Sequence, residues 1–150
     1  MNSKKTFLKL DDQLCFAVYS ASLAFNKVYK KSLQRLGVTY SQYLVLLVLW
    51  QKDNVTVSEI GEKLFLNSAT LTPLLKRLEG MNIITRERST EDERQVMIEL
   101  TKSGKDLRQK AEEIPATLLC SMDLPIEKVV ELKNRVVKLR ERLLSSNDAS

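Results

Sequence analysis

The stretch Thr56-Val-Ser-Glu-Ile60-Gly-Glu-Lys-Leu64-Phe65-Leu66-Asn67-Ser68-Ala-Thr70-Leu71-Thr72-Pro73-Leu74-Leu75-Lys76-Arg77-Leu78 decides the fold. Ile60 and Leu64 in residues 56–64, and Leu71, Leu74, Leu75 and Leu78 in residues 68–78, recur at the three- and four-residue spacing of one apolar helix face. Only Phe65, Leu66 and Asn67 join the two segments. Two short helices with a tight connection form a helix-turn-helix, whose second helix presents Ser68, Thr70, Thr72, Lys76 and Arg77 on its polar face.

Downstream, residues 83–88 and 95–100 are β-prone, and the second alternates Val96, Ile98 and Leu100. The Ser-Thr-Glu-Asp-Glu-Arg run between them is polar throughout. A two-stranded ribbon directly after a helix-turn-helix is a wing. The order helix, helix, ribbon predicts two DNA contacts, a helix N-terminus in the major groove and a hairpin tip at the minor groove or backbone. Ser68, Thr70 and Thr72 suit phosphates and base edges, and Lys76 and Arg77 suit phosphates. On the ribbon the available cations are Arg86, Arg88 and Arg94. Glu91, Asp92 and Glu93 surround Arg94, so a carboxylate orients its guanidinium. The competing structural reading is a tri-helical core whose hairpin never touches DNA.

Upstream, Asp11 and Asp12 open a long helix that Gly37 ends, about residues 12–36. Its first half is apolar on more than one face, with Leu14, Phe16, Val18, Leu23 and Phe25 among the residues concerned. Such a helix needs several neighbours, and a second subunit is a source of them. Residues 41–50 form the next helix, broken at Asp53 and Asn54. Beyond the ribbon, Thr101 opens a helix to about Cys120 with Pro115 as a kink inside it, and Pro125 sits in the first turn of the last helix. There Val129, Leu132, Val136, Leu139 and Leu143 alternate three and four apart as a packing seam. The expected fold is mainly α with a small β-wing. It is a single domain over residues 1–150, with a winged helix-turn-helix at about 54–100 and dimerisation helices at about 12–36 and 101–145 of a homodimer.

The composition narrows the chemistry. A chain of 150 residues with 43% hydrophobic and 29% charged residues buries one core. It contains no His, which excludes His-ligated metal sites and Ser-His or Cys-His catalytic pairs, and no cofactor is called for. The longest apolar run, Tyr43 to Trp50, falls short of a membrane span, and the N-terminal residues lack the apolar region of a secretory signal. The expected location is cytoplasmic, where thiols stay reduced unless catalytic or redox-sensing. The net charge of +5 suggests an anionic partner, yet residues 54–100 carry 6 basic against 8 acidic side chains. Any case for nucleic acid therefore rests on individual positions.

Cys15 poses the sharper chemical question. Capped by Asp11, the first helix would hold Cys15 in its first turn, where unpaired N–H groups and the helix dipole favour a thiolate. Tyr19 follows one turn later. The alternative is a small buried hydrophobe, the ordinary use of cysteine. Cys120 lies at the end of another helix, and spacing does not say whether the two sulfurs meet. Tyr19, Tyr29, Tyr40 and Tyr43 are the neutral donors left to hold a thiolate or peroxide oxygen, or else aromatic core with its hydroxyls at the surface. Phe16 and Phe25 near Cys15 would favour a peroxide carrying a hydrocarbon tail.

Four runs together resemble the organic hydroperoxide sensor (OhrR) branch of the MarR-type winged-helix regulators, of the two-cysteine type. They are Leu10-Asp-Asp-Gln-Leu-Cys15-Phe-Ala-Val-Tyr19-Ser, Tyr40-Ser-Gln-Tyr43-Leu-Val-Leu-Leu-Val-Leu-Trp50, Thr70-Leu-Thr-Pro73-Leu-Leu-Lys-Arg77-Leu-Glu79 and Asp92-Glu-Arg94-Gln-Val. The resemblance implies a homodimeric repressor that binds palindromic double-stranded operator DNA when reduced and releases it when an organic hydroperoxide oxidises Cys15. It implies that Tyr29 and Tyr40 reach the reactive sulfur from the partner subunit, that Tyr19 is a further pocket tyrosine, and that Cys120 closes an intersubunit disulfide. Ala69 and Asn82 depart from the usual glycines. Asn tolerates the left-handed conformation a helix end needs, so the end is expected to survive, while Ala69 bears on operator preference. On this reading the chain is not an enzyme. A MarR-type repressor released by a noncovalent aromatic ligand, and a thiol peroxidase with Cys15 and Cys120 as its cysteines, are the other readings.

Overall fold

A computed structural model describes residues 8–148. The N-terminal residues 1–7, read above for a signal sequence, lie outside the described residues, as do the last two of the serine-containing tail. The chain divides after Glu112 into two compact units.

The first unit begins with a 3-10 turn at Leu10–Asp12 and α1 at Leu14–Gln34. Gln13 occupies the N-cap without a side-chain bond, so Asp11 does not cap α1 as expected; both aspartates belong to the preceding turn. Gly37 takes φ +70 just beyond α1, in the left-handed region that glycine enters without steric cost. Next, α2 spans Tyr40–Gln51, one residue earlier than Ser41, because Thr39 caps it. The Thr39 Oγ1 accepts from Gln42 N, and Gln42 Oε1 accepts from Thr39 N at 2.9 Å, a reciprocal capping box. With apolar side chains all round, α2 is the central helix and meets α1 and α3 to α5. Tyr43, Val45, Leu46 and Leu49 are buried along it.

The helix-turn-helix follows as α3, Val57–Leu64, and α4, Ser68–Gly80. Thr56 and Glu59 form a second capping box on α3. Asn67 caps α4, its Oδ1 accepting from Thr70 N at 2.9 Å. Phe65 takes φ 57 to turn the chain between the helices, and Ile60, Leu71, Leu75 and Leu78 seal them with no exposure. Asn82 takes φ 58 after α4, the left-handed geometry expected of it.

The wing is part of a three-stranded rather than a two-stranded sheet. Strand β1, Val55–Thr56, precedes α3, while β2, Ile84–Arg88, and β3, Val96–Leu100, form the ribbon. The order is β1-β3-β2, all antiparallel, with Val55 opposite Ile98 and Arg86 opposite the same residue. A two-residue strand contributes too little periodicity to be read in sequence, and its pairing is non-local. Asp53 Oδ1 strengthens the join by accepting from Leu100 N at 2.9 Å. Helix α5, Lys102–Ala111, then packs under the sheet, and Trp50 Nε1 donates to the Gly104 carbonyl at 2.9 Å.

The second unit holds α6, Ile114–Met122, and α7, Ile126–Asp148. The expected single helix from Thr101 to Cys120 is in fact two. Pro115 does not kink a continuous helix but stands in the first turn of α6, where its missing N–H leaves no bond unmade. Pro125 immediately precedes α7, its carbonyl accepting from Lys128 N and Val129 N. No residue of α7 is buried, and Leu132, Val136 and Leu143 of its seam are exposed. Among the described residues no helix is long and apolar enough to cross a membrane.

Candidate nucleic-acid interface and thiol site

On α4 the buried Leu71, Leu75 and Leu78 fix the helix rotation, which leaves Ser68, Thr70, Lys76 and Arg77 exposed and Thr72 half-buried. The exposed face starts at the helix N-terminus, where backbone N–H groups and the dipole attract phosphate. Asn67, unassigned from sequence, shapes this end. Its signal was readable, an Asn directly before the first periodic residue.

At the ribbon tip, Asp92 Oδ1 accepts from Arg94 Nε at 3.2 Å and from Arg94 N at 3.1 Å. The Arg94 side chain is 91% exposed, so the carboxylate aims the guanidinium outward without burying it. Ser89 Oγ accepts from the backbone N–H groups of Glu91 and Asp92, and Ser89 N donates to the Gln95 carbonyl, which close the tip. Arg88 is exposed at the end of β2. Arg86 is different: its side chain is 20% exposed and its Nη1 donates to Glu79 Oε2 at 3.5 Å. The structure thus separates Arg86 from the exposed cations with which the sequence grouped it. Alternation alone assigns its face, and only the neighbouring helix end determines how much of it is covered.

Cys15 is the second residue of α1 and is exposed. The first-turn placement holds although the cap is Gln13. Around it α1 exposes Leu14, Phe16, Val18, Tyr19, Leu23 and Phe25, and Tyr19 is 62% exposed. Ser20, whose hydroxyl donates to the Phe16 carbonyl at 2.7 Å, is satisfied within the helix. Cys15 is therefore not the small buried hydrophobe of the alternative reading within one chain.

The other tyrosines form a separate cluster. The Tyr29 ring lies 4.7 Å from Tyr40 and 5.8 Å from Tyr43, and Tyr43 stands edge-on to Trp50 at 6.2 Å. Burial, then the neighbouring Tyr40 and Tyr43, push the Tyr29 hydroxyl up to about 12. Burial likewise raises Tyr40 and, with help from Tyr40, Tyr43. All three hydroxyls remain protonated donors at neutral pH. Tyr29 lies fourteen positions beyond Cys15 on α1, roughly 21 Å at the helical rise of about 1.5 Å per residue. One chain does not bring this cluster to its own Cys15.

Cys120, in the last turn of α6, is exposed. It opens onto a depression of about 570 Å³ lined by Glu113, Ala116, Thr117, Cys120 and Ser121. Among the described residues no group of three or more His, Cys, Asp or Glu could hold a metal ion.

Residues 27–114 match the family described as transcriptional regulator SarA/Rot. The chain is 46% identical over 147 residues to the organic hydroperoxide resistance transcriptional regulator of Bacillus subtilis (strain 168), an alignment covering 98% of this chain and 100% of that protein. It is also similar to the structure of reduced AbfR bound to DNA, with a TM-score of 0.78 and 38% identity over 94% of this chain and 99% of that one. The structure of disulfide-formed AbfR matches with a TM-score of 0.59 and 39% identity over 93% of each chain.

Proposed function

The chain belongs to the MarR-type winged-helix transcriptional regulators, in the branch of the organic hydroperoxide sensors, and from that membership we propose that it is a redox-sensing homodimeric repressor switched at Cys15. As a regulator it is not an enzyme. The observation that carries the reading is an exposed cysteine in the first turn of α1, on an apolar surface, in a chain similar along its whole length to a regulator of organic hydroperoxide resistance.

In the reduced state the exposed face of α4 enters the major groove of a palindromic operator, and Arg94, aimed by Asp92, reaches the minor groove. A related regulator, AbfR, has been solved reduced on DNA and in a disulfide-formed state, which supports both ends of the switch. The Cys15 thiolate attacks one oxygen of the hydroperoxide, so an S–O bond forms as the O–O bond breaks. The alkoxide takes a proton and leaves as an alcohol, and Cys15 becomes a sulfenic acid. The partner subunit's Cys120 then attacks the sulfenic sulfur, an S–S bond forms, and the hydroxyl leaves as water with the thiol proton. The hydroxyls of Tyr29, too far along α1 for its own Cys15, and of Tyr40, packed against Tyr29 from α2, donate to the partner's sulfur or peroxide oxygen, and Tyr19 lines the same pocket. Phe16 and Phe25 give a hydrocarbon tail an apolar surface to bury, which favours organic hydroperoxides over hydrogen peroxide.

The test is a DNA mobility shift with and without cumene hydroperoxide, followed by nonreducing electrophoresis. The reduced wild-type chain binds and the oxidised chain releases with a chain-to-chain crosslink. Cys15→Ser binds but ignores the peroxide, and Cys120→Ser still reacts yet forms no crosslink. A Cys15→Ser protein that still left DNA on peroxide treatment would refute the switch and favour a noncovalently bound inducer.

A further inference from the structure

Arg86 and Glu79 stand seven residues apart on different elements. Glu79 belongs to the last turn of α4, where a carboxylate faces the negative end of the helix dipole and gains from a cation. Arg86 is in the middle of β2, on the same side of the strand as the buried Ile84 and opposite the buried Ile98. Its guanidinium turns toward α4 rather than toward solvent. The Nε is buried and has no hydrogen-bond partner among the described residues, so the side chain gives up hydration to make the Glu79 contact. A phosphate-binding arginine needs the opposite arrangement, an open fork such as that of Arg94.

We propose that Arg86 is a positioning residue that ties the wing to the recognition helix through Glu79, so that the α4 face and the Arg94 tip meet DNA at a fixed separation. Besides this tie, the ribbon is joined to α4 through residues 81–83, where Ile83 N donates to the Leu78 carbonyl, through the apolar contacts of Ile84, and through β1, which pairs with β3 and leads into α3. The ion pair ties β2, the edge of the sheet opposite β1, directly to the end of α4, which resists twisting of the ribbon relative to the recognition helix.

This inference rests on the DNA-binding reading, and the experiment separates the two. The probe is a duplex enriched by the reduced wild-type chain from a randomised pool. Arg86→Gln, Glu79→Gln and the double variant are titrated against it, each with Arg94 intact and in an Arg94→Ala background. Arg86→Lys is added to retain charge at the position, and unfolding midpoints check the fold. With Arg94 intact, either single change is expected to weaken binding about tenfold, and the double no further, because both remove one coupling. The penalty disappears in the Arg94→Ala background, the salt slope stays unchanged, and Arg86→Lys recovers part of the affinity. The decisive variant is Glu79→Gln, since removing a negative charge near DNA strengthens a purely electrostatic complex. If Glu79→Gln tightens binding while Arg86→Gln weakens it and lowers the salt slope by about 1, Arg86 contacts phosphate directly and the proposal is overturned. Penalties that persist unchanged in the Arg94→Ala background also overturn it. If the wild-type chain enriches no duplex, the DNA-binding reading itself fails and takes the proposal with it.

Discussion

The tyrosine cluster shows how a residue acquires chemistry that its type alone does not confer. Tyr29 is an ordinary phenol in the unfolded chain, titrating at 10.0, and is held up to about 12 once burial and the Tyr40 and Tyr43 rings surround it. The folded form therefore binds its proton more tightly than the unfolded form. That contribution to stability is complete below pH 10 and declines as the pH rises toward 12, because only the unfolded phenol ionises in that interval. Urea unfolding at stepped pH is expected to show an alkaline loss of stability, and Tyr29→Phe to flatten it. An unchanged alkaline slope in Tyr29→Phe would assign the loss to other groups. The same protonation leaves a donor hydroxyl at neutral pH, the form that a thiolate or a peroxide oxygen accepts from.

At the scale of elements, boundaries are set by a few polar atoms and by close backbone approaches. Thr56 and Glu59 close the start of α3 reciprocally, so Thr56→Ala is expected to destabilise the chain by about 1 kcal/mol. Gly104 is more demanding. A Cβ there would collide with the Ile83 carbonyl oxygen and press on Leu100 Cδ2, in the tight joint between α5 and the sheet. The Gly104 carbonyl also accepts the Trp50 indole N–H, so a shift of α5 would strain that bond as well. Gly104→Ala is expected to cost roughly 1–3 kcal/mol or more in thermal or urea unfolding, and Gly80→Ala, where an added Cβ would meet no other part of the fold within 4 Å, far less. Equal effects at the two glycines would remove the steric account.

At the scale of the whole molecule, the distribution of exposed apolar surface argues for two chains. In α1, Leu14, Phe16, Val18, Leu23 and Phe25 are each at least 36% exposed, and in α7 no residue is buried. Large exposed apolar side chains gathered on a helix in this way, within each unit by itself, mark an interface. Light scattering of the reduced chain at micromolar concentration is expected to give twice the 17.2 kDa chain mass. Leu132→Glu, on the exposed α7 seam, is expected to shift the mass toward that of one chain and to abolish tight operator binding. A monodisperse monomer in the wild type would also remove the shared site, because Cys15 and Tyr29 are set roughly 21 Å apart by the helical rise along α1.

Local periodicity and composition were enough to establish the helix-turn-helix, the ribbon, the apolar α1 and the seam of α7. These depend on spacings of two, three and four residues, which the backbone imposes wherever the side chains alternate. The pairing of Asp92 with Arg94 was legible for the same reason, since the two groups are near neighbours in the chain. Other features arise between distant residues and left no local trace. Strand β1 is only two residues long and exists because β3 pairs with it. The break at residues 112–113 turned an expected kinked helix into α5 and α6, since Pro115 fits equally well inside a bend or at a new start. The place of Arg86 is of the same kind: its sequence neighbours make it one of several ribbon cations, and only the packing of β2 against the end of α4 withdraws it from solvent toward Glu79.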